Sequence, residues 1–159
     1  MKKIKNKPTF APVSEGPSQW VIFAVHEVGM VMNFDKTGLV YTITIGFESV
    51  TEMIEGVRRT QWKRVTAESL HPKSNLGKIV AAAGIEVPEG AELDPSTLIG
   101  KNLTLLIGHE VKDDRTFATI DGYAKLGKGV LPVAPEHKPD EPMPAWMRPE
   151  PPTKDPSSW

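Results

Sequence analysis

Residues 69–85 read SLHPKSNLGKIVAAAGI, and this stretch decides the fold. Leu76, Ile79, Val80 and Ala83 fall at i, i+3, i+4 and i+7, which makes one apolar stripe on a helix. Ser74 or Asn75 is placed to cap the start, and Gly84 to end it. The spacing predicts a short helix over 74–83. The periodic stretches on either side carry the two-residue alternation of strands instead, so the helix stands alone.

Upstream, WVIFAVHEVGMVMNF (Trp20 to Phe34) is apolar on both alternating faces, with Gly29 inside it. In an antiparallel protein a strand buried on both sides is expected to bend and serve two sheets, with glycine at the bend. FDKTG supplies a turn, and LVYTITIGFES follows with Leu39, Tyr41, Ile43, Ile45 and Phe47 on one face. Val40, Thr42, Thr44 and Glu48 lie on the other. VTEMIEGVRR reads as a polar connector to a third strand, TQWKRVTAESL.

Downstream, GIEVPEGAELDPSTLIG reads as loop, with one helical turn after Asp94 and Pro95. KNLTLLIGHEV is a fourth strand with Leu103, Leu105 and Ile107 facing inward, KDDRT a turn, and FATIDGYAKL a fifth strand. Three strands, one helix and two strands is the order of the all-β, five-stranded Greek-key barrel called the OB-fold. Its helix lies between strands three and four and plugs one end of the barrel.

The chain has 159 residues, 39% hydrophobic and 25% charged, which is room for one globular domain. With no cysteine, disulfides, zinc ribbons and thiol catalysis are excluded. His26, His71, His109 and His137 show no ligand spacing, so no metal and no cofactor is expected. No run has the length of a membrane span and the start lacks a signal-peptide core, so the expected compartment is the cytoplasm.

Residues 1–134 carry 16 basic and 15 acidic groups, a balance that permits a local basic groove. Residues 1–9 read as a flexible basic arm, 10–131 as the barrel, and 132–159 as a disordered, proline-rich and mildly acidic tail.

The stretches SLHPKSNLGKIV, LIGKNLTLLIGHE and TFATIDGYAKLGKG resemble those of small phage and prophage single-stranded-DNA-binding proteins encoded beside recombination and replication genes. The resemblance covers about residues 10–130. It implies DNA binding in phage replication or recombination, without catalysis, in the cytoplasm of a bacterial host. Val65 and Glu68 depart from the basic-aromatic-Thr run usual at the end of strand three, and Phe117 stands where tyrosine is common. Those departures bear on the DNA contacts rather than on the fold.

A sequence-tolerant single-strand binder needs cations for phosphates and flat rings for bases. On an OB-fold the groove lies on strands two and three, between the loops joining strands one–two and four–five. Arg58, Arg59, Trp62, Lys63 and Arg64 form the densest basic-aromatic cluster in the chain. Trp62 and Arg64 share a face by alternation, so Trp62 is expected partly open as a stacking platform and the four cations as phosphate ligands. Phe34 and Lys36, in the first loop, are further candidates. Arg115, flanked by Asp113 and Asp114, is expected in an internal salt bridge.

Adjacent acids at a hairpin tip are turn chemistry, and no phosphate loop is present, so no enzyme is expected. Trp146 and Trp159 mark the tail as a docking segment for replication or recombination proteins. The competing reading is an OB-like protein-interaction module of a phage or prophage complex that does not touch DNA. Oligomeric state stays open, a homodimer included.

Overall fold

Strand β1 (Gly16–Met32) runs through the middle of the fold and bends as its two-sided apolar sequence requires. The structure, a computed structural model, describes residues 11–32 and 37–147 of the chain. Register shifts between Ile22 and Ala24 and between Glu27 and Gly29 kink the strand, and Gly29 takes φ 92°, which suits a residue without Cβ. Gly16–Val21 pair with β4 (Asn102–Lys112), while Trp20–Met32 pair with β2 (Leu39–Ile54).

β3 (Val57–Thr66) follows on β2, and β5 (Arg115–Ala124) on β4. The result is one five-stranded antiparallel sheet in the order β3-β2-β1-β4-β5.

The stretch 50–59, expected as a connector, is mostly strand. β2 runs on to Ile54 and only Glu55 and Gly56 separate it from β3. Their φ angles of 53° and 80° are those of a tight hairpin whose twist matches its strands. Val50, Glu52 and Ile54 alternate half-buried with exposed Thr51 and Met53, a period-two pattern that the acidic residues obscure. At the other hairpin Asp113 and Asp114, with φ 51° and 61°, make the β4–β5 turn. Arg115 is exposed and makes no ion pair among the described residues, contrary to the expected salt bridge.

Helix α1 (Asn75–Ala82) lies between β3 and β4. Ser74 Oγ caps it by accepting from the Gly77 amide at 3.0 Å. At its end the Gly84 amide donates to Ala81 O and the Ile85 amide to Val80 O, a Schellman closure with Gly84 at φ 78°. α1 packs on both edge strands, β3 and β5, and so draws the two edges of the curled sheet together at one end. The core is filled by Trp20, Ile22, Ile45, Phe47, Leu103 and Leu105 from the strands, with Leu76, Ile79 and Val80 from the helix. The fold is all-β and barrel-like with one helix. No helix among the described residues is long and apolar enough to cross a membrane.

Residues 132–147 contradict the disorder expected of them. Residues 131–147 form a strap, tied to β1 at Leu131, to Asn102 at the start of β4 at Val133, and then across the outer face of β1, β2 and β3 at Ala134, Glu136, His137, Glu141 and Met147. Proline density argues against helix and sheet because proline lacks the N–H. The strap is held mostly by its carbonyls, which prolines keep, and by a few amides between the prolines. It also supplies the second reason for the two-sided burial of β1, since Phe23 is fully buried beneath it. The remainder of the expected tail, 148–159, and the expected arm, 1–9, lie outside the described residues.

Candidate nucleic-acid interface

The pairing of β2 with β3 sets Thr44 opposite Arg64, Gly46 opposite Trp62 and Glu48 opposite Thr60. Ile43, Ile45 and Phe47 point into the core, so these pairs face outward. Ala24 and His26 of β1 join them, paired with Gly46 and Thr44. The outer face therefore brings together Phe23, His26, Glu48, Arg58, Trp62 and Arg64.

Alternation separates the expected cations. Arg58 and Arg64 share the face of Trp62, whereas Arg59 and Lys63 turn to the opposite side. Arg59 lies 3.9 Å from Glu52. Burial alone would raise the Glu52 carboxyl, but hydrogen bonds from Ser14 and the Arg59 charge hold it below the ordinary carboxylate value. Lys63 is half-buried in register with Ile45. Phe34 and Lys36 lie outside the described residues, as does Trp159. Trp146 is 75% exposed on the strap.

Trp62 is 8% exposed, which corrects the expectation of a partly open ring. Its ring meets Phe23 edge-on at 5.2 Å and stacks on His26 at 5.7 Å. Gly46 makes room for this group, because a Cβ there would fall 2.8 Å from Phe23 Cζ and 2.9 Å from Trp62 Cζ3. Met147 from the strap completes the cluster.

Arg58 is engaged on three sides. It bonds Glu48 at 3.1 Å and the Ala134 carbonyl at 3.0 Å, and lies 3.3 Å from the Glu136 carboxylate. Arg64 donates to the Met147 carbonyl.

Glu48 was missed by sequence reasoning as a site residue, yet it anchors the strap. Its carboxylate is fully buried and accepts the backbone N–H groups of Glu136 and His137 at 2.9 Å. The His137 ring adds contacts on both nitrogens, to the Arg58 carbonyl at 2.7 Å and the Glu141 carboxylate at 2.8 Å. His26 Nε2 lies 2.7 Å from the Glu141 carbonyl. The available signals were Gly46 inside a strand and an acid, Glu48, directly after apolar residues that alternate toward the core.

Chemically the face offers two guanidinium groups and three flat rings, with one carboxylate already matched to Arg58. Among the described residues no cluster of acids and histidines is built to hold a metal ion. No protein-family model matches the chain, and no curated protein matches it.

Proposed function

We propose that this protein binds single-stranded DNA, with little sequence preference, along the outer face of β1, β2 and β3. The observation that carries the reading is the grouping of Arg58 and Arg64 with Phe23, His26 and Trp62 on one face. Rings beside cations suit a single strand, whose bases stack and whose phosphates need counter-charge. The strand order, with its helix in the third-to-fourth connection, supports an OB-fold, whose ligands lie on strands two and three.

The motif resemblance to phage and prophage single-stranded-DNA-binding proteins supports the same reading. It points to phage replication or recombination in a bacterial cytoplasm, without catalysis or cofactor. Trp146 and Trp159 are the proposed anchors for replication or recombination proteins, since tryptophan is enriched at binding hot spots.

A second reading, a protein-interaction module, is favoured by one feature. Glu48 captures two successive backbone N–H groups, so this face already accommodates an extended peptide.

Fluorescence anisotropy with labelled oligo-dT, compared with a duplex across a salt series, separates the two. DNA binding predicts a preference for the single strand and a log-log salt slope of roughly −0.7 per phosphate contacted. Absent or salt-insensitive binding would favour the peptide reading.

A further inference from the structure

We infer that the strap, residues 131–147, and a single strand of DNA occupy the outer face of β1–β3 in turn. The lock on the closed form is the Glu48 carboxylate reading backbone N–H groups, not the attraction of an acidic segment to a basic groove. The inference rests on the DNA-binding function proposed above and concerns how that face is regulated.

The contacts themselves argue for this lock. Glu48 takes the amides of Glu136 and His137, Arg58 and Arg64 take the carbonyls of Ala134 and Met147, and His26 meets that of Glu141. Met147 fills the space beside Phe23 and Trp62. Among the described residues, the ion pair of Arg58 with Glu136 is the only one between charged side chains of sheet and strap. Lys138 and Asp140 are exposed.

The strap is also separable from the fold. The main core, built from all five strands and α1, contains no strap residue. The strap contributes only to the smaller cluster around Phe23 and Trp62. It is reached through a connector ending at Val130, which is 42% exposed, and beyond its ties at Leu131 and Val133 it can lift without disturbing the barrel. In the closed form Thr44 Oγ1 and Arg64 Nε, both on this face, are buried with no protein hydrogen-bond partner among the described residues. Opening returns both to solvent or to a ligand's acceptors.

When the strap lifts, Phe23, Trp62 and Arg64 become available together, while Glu48 keeps Arg58 as its counter-charge. The apparent DNA affinity is then the open-face affinity multiplied by the open fraction.

Salt distinguishes this lock from an electrostatic one. Amide-to-carboxylate bonds at a buried site and methionine packing respond weakly to ionic strength, whereas phosphate contacts respond strongly. Wild type and a strap-weakened protein should therefore show parallel salt slopes with a constant offset. A competing acidic tail would itself weaken with salt and make the wild-type slope shallower.

The test uses the full chain carrying both His137→Pro, which removes one amide donor to Glu48, and Met147→Gly. Oligo-dT affinity should rise by about tenfold or more, with the slope unchanged. Equal affinity in variant and wild type, or a shallower wild-type slope, overturns the inference and leaves the proposed function standing. If neither protein binds oligo-dT at low salt, the function itself fails and the inference with it.

Wild-type hydrogen exchange gives an answer that does not depend on the variant folding. Saturating oligo-dT should speed exchange at the Glu136 and His137 amides. Unchanged protection with DNA bound means that the strap stays closed, and the inference is wrong.

Discussion

Trp62 lies between Phe23 and His26 under a methionine, so removing its indole opens a hole in a packed cluster. Trp62→Ala should lower stability by about 3–5 kcal/mol in chemical denaturation. A loss below about 1 kcal/mol would mean that the ring is solvent-facing after all. That Trp62 and Arg64 share a face was legible in the sequence, because period two requires it. The burial was not legible, since the cover comes from a segment joined to Arg64 across 83 positions.

Tyr123 carries a different residue-scale signature. Burial pushes its phenol up to about 12, and its hydroxyl has no hydrogen-bond partner among the described residues. An unfolded tyrosine ionises near pH 10, while the folded one stays neutral to about 12. The folded state therefore binds the extra proton in that window, and stability should fall as pH rises from about 10 to about 12. Tyr123→Phe should remove that part of the slope, as read by urea unfolding at successive pH values. An identical slope in the variant would place the phenol in water.

At the scale of elements, α1 illustrates how a general propensity can be reversed by one contact. Glycine inside an exposed helix normally costs about 1 kcal/mol relative to alanine. At Gly77 an added Cβ would fall 2.0 Å from the His71 carbonyl oxygen, a backbone atom. Gly77→Ala should therefore destabilise by about 1–3 kcal/mol instead of stabilising. A raised melting temperature would show that the 70–74 segment yields freely.

The helix, its Ser74 cap and its Gly84 stop were readable because they depend on neighbours within a turn or two. The Glu55–Gly56 hairpin was less so, as acidic residues mask the alternation there and Glu-Gly is a weaker turn signal than Asn-Gly.

At the scale of the whole molecule, strand order follows from the run of periodic segments, and the sheet has the expected five strands with one helix between the third and fourth. The strap was misread because proline content reports what a segment cannot form by itself, not what another surface can hold. Glu48, Arg58 and Arg64 supply that hold from strands separated from the strap by 76 to 89 positions. The same long-range closure explains why three of the expected site residues, Arg58, Trp62 and Arg64, come together and yet are covered.

The most direct measurement is a backbone-amide NMR shift map recorded while oligo-dT is added to the full chain. DNA binding on the face of β1–β3 predicts shifts concentrated at Phe23–His26, Thr44–Glu48 and Arg58–Arg64, accompanied by shifts along 131–147 as the strap gives way. A map that stays unchanged at saturating oligo-dT, or that moves only β4 and β5 while 131–147 holds still, would contradict it.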